Sequence, residues 1–414
     1  MSYVFDGSIS REVLNNYLSR AVTHTGIGQD CLSPSQTFKD DLRMLRNEGA
    51  KFIGRAAFAW SETNEEEHFI VAKERAIQAH EADPDLILQA CVFECITKSF
   101  IDTVPIPAWV FEAFGLAPQK RNFSYDAMLN PGGMYVNHWH QDCSVQDITQ
   151  LESQLWIYYR AVAYIKAGYE GIHFGQVHLI GGADDGFKCW KRIIDMVRDF
   201  AKQHARRHYV LFDAHTHGIE VEGEMLFDYN CFPLRLKETI ASPMECTLEE
   251  GYLDSLFGRS KGGKSPSGWT AEAMPFIVEF DNFGRSRFKG EARHESYYVW
   301  GYDEITWFCL QRDEYRHKIL RYVWDWVNSR YPEGWVQMPS RRCLTEDIPF
   351  LWEKPDSAWL DKVAKDEFLS YKLDGQGRAH ILRSYYSANR RSDACPFGYG
   401  DEDVIAECFR SIST

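Results

Sequence analysis

The sequence predicts a (β/α)8 barrel, and three observations carry that expectation. Short apolar runs suited to buried parallel strands alternate with longer runs of helical period from residue 52 onward. About eight strand candidates can be marked, the number such a barrel needs. Neither GxGxxG nor GxxxxGK[ST] follows any of them, so nothing announces the phosphate cradle of a doubly wound sheet.

The first strand candidate covers 52–60, and the helix after it covers 65–82, with Thr63 as the expected N-cap and Asp83-Pro84 as the stop. Strand candidates at 86–94 and 123–129 follow, the latter closed by the turn Asn130-Pro131-Gly132-Gly133. A helix is expected over 147–166, because Ile148, Leu151, Leu155, Tyr158, Val162 and Ile165 recur at three- and four-residue steps and Gly168 supplies the stop. Strands are then expected at 171–177, 209–213, 225–228, 276–281 and 305–310, with a helix over 188–207 and another in which Tyr315, Ile319, Val323 and Val327 share a face. Residues 1–50 read as a helical lead-in, 51–334 as the barrel and 335–414 as a mixed extension packed on it, while 258–268 reads as a loop tip.

A chain of 414 residues can hold one large core, and 44% hydrophobic with 26% charged residues excludes a disordered or fibrous protein. No apolar run approaches the roughly 18 residues of a membrane span. A net charge of −14 would repel a phosphate backbone or an anionic membrane, so neither nucleic acid nor membrane is an expected partner. The 11 cysteines form no CxxC pair and the N-terminus shows no secretion pattern, which together suit a reducing, cytoplasmic setting. Thirteen Trp and 21 Tyr are an excess that can serve stacking on sugars.

In a barrel, only the carboxyl ends of the strands converge on a reacting group. That filter selects Trp60, Glu94, Asp126, Gln176, His178, Asp213, His215, Asp228, Asn230, Glu279, Asp281, Asn282 and Gln311, with Trp300 in a loop on the same rim. An acidic, aromatic-lined cleft suits a neutral carbohydrate. Cleaving a glycosidic bond takes a proton donor and a second carboxylate, about 5 Å away as nucleophile or roughly 6.5–9.5 Å away as base. Glu279 is the first choice for one partner, and Asp213 or Asp228 for the other, with Trp60, Glu94, Gln176, His178, His215, Asn230, Asp281, Asn282 and Trp300 as substrate-binding residues. The bland alternative makes each carboxylate an acceptor for loop N–H groups or for an arginine such as Arg121, Arg235, Arg285 or Arg287. No cofactor is required.

On these residues the chain resembles the TIM-barrel glycoside hydrolases over about 50–330, at the level of architecture. The resemblance implies acidic residues at the ends of the fourth and seventh strands as acid/base and nucleophile. The fourth candidate ends at Gln176 instead, so Asp213, Asp228 and Glu94 are the replacements, and a sugar-binding protein without catalysis is a further possibility. Asp213-Ala214-His215-Thr216-His217 also resembles the Asp-x-His-x-His strand end of metal-dependent amidohydrolases, which would imply a divalent ion on His215 and His217; His138-Trp139-His140 offers a second short pair. That motif normally ends the first strand, whereas here it ends the fifth.

Overall fold

The computed structural model describes residues 1–28, 35–60, 64–239, 242–248, 260–281, 304–364 and 369–412. Thr63, Asn282, Arg285, Arg287 and Trp300 lie outside them, as does part of the 258–268 loop. The chain divides into two compact units. One comprises Met1–Asn16, Arg55–Cys231 and Ser260–Phe276; the other comprises Tyr17–Gly54, Phe232–Arg259 and Ile277–Thr414.

In the first unit the strands Ile87–Cys91, Gly171–His173 and Leu211–Asp213 pair side by side, all parallel. Their register aligns Cys91, His173 and Asp213 in one row. Helix Leu151–Ala167 lies in the first crossover and Lys188–His204 in the second. The former ends as its sequence requires: Gly168 adopts φ 100° and its N–H returns to the last carbonyls. The latter buries Trp190, Ile193, Ile194, Val197 and Ala201, one apolar stripe at helical spacing. Helix Glu65–Ala82 matches its expected bounds, but its N-cap is Asn64, whose side chain accepts from Glu67 N.

Two strand expectations in this unit are corrected. Residues 123–129 contain the 3-10 turn Asp126–Met128; Ser124 and Asp126 favour local turns, and the backbone here bonds largely to side chains, Ser124 N to Glu152 and Tyr125 N to Asp102, with Phe123 N on Val104 O. Around 225–228 the chain makes a short hairpin, Glu220–Val221 with Glu224–Met225, before the strand Asn230–Pro233 begins.

In the second unit Ala21–His24 pairs in parallel with the start of Phe52–Ala57 on one side and with Gly334–Trp352 on the other. The expected helical lead-in thus contains a strand between helices Arg11–Leu18 and Ser35–Glu48. Gly334–Trp352 continues antiparallel to Ala379–Ser387, which pairs with Leu369–Leu373. The expected eighth strand at 305–310 is the helix Glu304–Cys309. All six of its residues are buried, and a short run that is apolar on every side has no period to separate helix from strand. The architecture is mixed α/β with mostly parallel strands. Among the described residues, the pairings within each unit do not make a closed eight-stranded ring.

No described helix is long and apolar enough to cross a membrane. Every described cysteine is free, and Cys95 and Cys143, diagonal neighbours in a short antiparallel pair, bring their sulfurs to 3.1 Å.

Candidate functional site

The row that aligns His173 with Asp213 builds the centre of the first unit. Asp213, 1% exposed, receives three side-chain donors: Gln89 Nε2 at 2.7 Å and Tyr229 O–H at 3.0 Å on Oδ1, and His173 Nδ1 at 2.7 Å on Oδ2. An ionised carboxylate accepts all three, so His173 presents its proton at Nδ1 and turns Nε2 the other way. That Nε2 is buried and finds no hydrogen-bond partner among the described residues. Gly171 makes the arrangement possible, since a Cβ there would stand 3.1 Å from that of Gln89 in the neighbouring strand.

His215 stands beside His173, ring centroids 4.9 Å apart and nearly perpendicular. Its Nδ1 lies 3.1 Å from the Gln176 side-chain amide. Cys231 joins from the next segment, bridged in parallel to His215, with its N–H on Ala214 O at 3.2 Å.

Glu94 forms the other end of the site. It is 3% exposed and accepts the Gln176 N–H at 3.2 Å. Burial pushes its carboxyl above the usual carboxylate range, against the opposing pull of backbone N–H groups and of His215 and Arg55. Gly175 provides the nook: a Cβ there would meet Glu94 Oε2 at 2.5 Å and Phe93 Cδ1 at 3.1 Å, and φ is +55°. Gly175→Ala is therefore expected to cost at least about 1–2 kcal/mol, read as a lower urea midpoint at unchanged slope. A midpoint equal to wild type would show that Glu94 is not confined there.

An aromatic wall rises over Phe93. Trp60, 39% exposed, meets the Phe93 ring edge-on at 5.2 Å and the Trp139 ring at 5.6 Å. Trp139 arrives on a loop that holds Tyr135, Asn137 and Asp142 at positive φ, so the chain there is bent into a fixed shape. His138 packs edge-on against Trp139, while His140 is exposed and bonds Gln141 O.

The remaining expected site residues have other surroundings. Asp228 is buried and takes Arg198 Nη2 at 3.0 Å, Phe212 N at 2.8 Å and the Tyr209 O–H. Asn230 anchors the chain at Ser260, 2.9 Å away. His178 meets Thr216 Oγ1 at 3.0 Å, and His217 is exposed. In the second unit, Glu279 takes Arg342 Nη1 at 2.9 Å and Asp281 takes Arg235 Nη1 at 3.4 Å, all four buried. Of the arginines expected as carboxylate partners, Arg235 has this role, and Arg121 pairs with Glu152.

Sequence reasoning missed His173, Gln89, Tyr229 and Cys231. A polar Gln89 inside the apolar run 86–93 was one available signal. The alternation of a strand was another: selecting Asp228 and Asn230 passes over Tyr229 and Cys231, the intervening residues that face Asp213 and His215.

No family model matches the sequence, and no curated protein matches it. Solved structures similar to this chain include glycoside hydrolases. They include the native form of the Nostoc punctiforme debranching enzyme, at 12% identity over 52% of this chain and 52% of that one, with a TM-score of 0.32. The glycoside hydrolase domain of PelA from Pseudomonas aeruginosa is 11% identical over 57% of this chain and 78% of that one, with a TM-score of 0.29. Trehalose-6-phosphate hydrolase (TreA) of Bacillus licheniformis is 11% identical over 77% and 57%, with a TM-score of 0.32. The chain spans about half (52%) of the length of the debranching enzyme, and TM-scores this low carry no weight for activity.

Proposed function

We propose that this chain is a glycoside hydrolase, built on a barrel of the (β/α)8 kind, that uses Glu94 as proton donor and the His173–Asp213 pair to activate water. The observation that carries the reading is Glu94: a carboxyl whose pKa burial raises, next in sequence to the Phe93 ring under the Trp60–Trp139 pair. A proton donor for a leaving glycosidic oxygen needs that environment. Trp60 and Trp139 offer a face for a pyranose. The Glu94 proton passes to the leaving oxygen as the glycosidic bond breaks. Water attacks the anomeric carbon and gives its proton to His173 Nε2, and Asp213 steadies the imidazolium. Asp228 and Glu279, each tied to a guanidinium, are given no reacting role.

The test is a panel of aryl glycosides and defined oligosaccharides with wild type and Glu94→Gln. Glu94→Gln is expected to lose about 10²–10⁴-fold in kcat with an unchanged melting temperature. The alkaline limb of kcat/KM in wild type is expected above the ordinary carboxylate range, since a raised acid stays protonated to higher pH. Full activity in Glu94→Gln would remove the acid. Full activity in Asp213→Asn would remove the second role from the His173–Asp213 pair. A sugar that raises the melting temperature but is never cleaved would favour binding without catalysis.

A further inference from the structure

We infer that His173, His215 and Cys231 form a binding site for a thiophilic divalent transition metal, zinc being the best fit, with Asp213 and Gln176 as the groups that orient the two imidazoles. One ligand atom each from His173, Asp213 and Cys231 lie within 4.8 Å of one another, and all three residues are buried. His215 and Cys231 likewise bring ligand atoms within 4.8 Å. The two sets share Cys231, and the His173 and His215 rings lie side by side, so one ion at Cys231 would draw in both imidazoles by side-chain rotation to the roughly 3.5 Å ligand spacing that zinc bonds of about 2.0–2.3 Å set.

A second observation points the same way. His173 Nε2 is buried in a residue only 2% exposed and has no hydrogen-bond partner among the described residues. A lone pair withdrawn from water with nothing to accept from is costly, and a cation supplies its partner. Its Nδ1 is held by a carboxylate, the arrangement that fixes tautomer and raises basicity in metal-bound histidines. His215 is oriented from the same side of its ring, with the Gln176 side-chain amide 3.1 Å from Nδ1. Two imidazoles and a thiol select zinc or cobalt over magnesium or calcium. On binding, the Cys231 thiol passes its proton to solvent and the thiolate takes the metal. Such an ion would lower the pKa of a water it holds. With Nε2 on the ion, His173 no longer takes the proton from water, so the metal-held water replaces that step of the proposed hydrolase mechanism; this last step rests on the hydrolase reading, and the binding does not.

The experiment titrates Co2+ and Zn2+ into chelator-treated full-length protein. We expect one ion per chain, release of a proton on binding, and a thiolate-to-cobalt charge-transfer band that is missing in Cys231→Ser. Asp213→Asn is expected to weaken affinity about 10–100-fold. Because Cys231→Ser could fold poorly, His173→Gln is the second variant, each checked by circular dichroism. Absence of stoichiometric binding, or a band that persists in folded Cys231→Ser, overturns the inference. Glycoside turnover by fully chelated protein would overturn the ion's role in catalysis and leave the hydrolase reading standing. Metal binding without turnover of any glycoside would leave the metal site standing and overturn the hydrolase reading.

Discussion

Glu279→Ala is expected to lower the free energy of unfolding by about 3–5 kcal/mol, one of the two largest effects foreseen for this chain. Glu279 is 1% exposed and its carboxylate meets Arg342 Nη1 at 2.9 Å, with Arg342 itself 2% exposed. Arg342 Nε already has no hydrogen-bond partner among the described residues. Removing the carboxylate leaves a guanidinium that cannot shed its proton inside the core. The double replacement Glu279→Leu with Arg342→Met should recover most of the loss, because neither charge then needs to be kept from water. Urea denaturation of the cycle measures this. A single-mutant cost below about 1 kcal/mol would mean that Arg342 finds water or another anion.

Glu304 is expected to contribute a loss of stability as pH rises from about 5 to 8. This residue opens the helix Glu304–Cys309, is 0% exposed, and accepts the N–H groups of Leu236 and Asp281. Burial raises its pKa to about 8, with Arg235 opposing. Below the ordinary glutamate range the folded and unfolded chains both hold the proton. Above it the unfolded chain releases the proton while the folded one keeps it, so each pH unit favours unfolding until about pH 8. The full span amounts to a loss on the order of 4 kcal/mol, given 1.36 kcal/mol per pH unit. Glu304→Gln cannot ionise, so the stability difference between mutant and wild type should shift in favour of the mutant between pH 5 and 8. Parallel pH profiles for the two proteins would show that Glu304 is charged when folded.

How much of the site could be read beforehand depends on which physical signal each residue carries. Asp213 was legible because an acid at the end of an apolar strand stands out, and the pattern at Leu211–Asp213 was clean. Trp60 and Glu94 were legible for the same reason. His173 was not, because the apolar run was expected to continue as strand to residue 177, which hid that His173 ends the strand Gly171–His173; the row it shares with Asp213 gives it a task. Cys231 looked like one more small hydrophobe. The long helices 65–82 and 151–167 were readable from period and caps. The segments 123–129 and 305–310 were not, since each is too short for its period to outvote burial.

Asp228 has a consequence for how the first unit opens. Its carboxylate holds the main-chain N–H of Phe212 while gripping Arg198 from the Lys188–His204 helix and the Tyr209 hydroxyl. Strand, helix and preceding loop are thereby fastened at one point, and Phe212 itself is 0% exposed. The Phe212 amide should be among the last in this unit to trade its proton for deuterium, doing so only when the unit unfolds as a whole. In Asp228→Asn, that same amide should become an early exchanger.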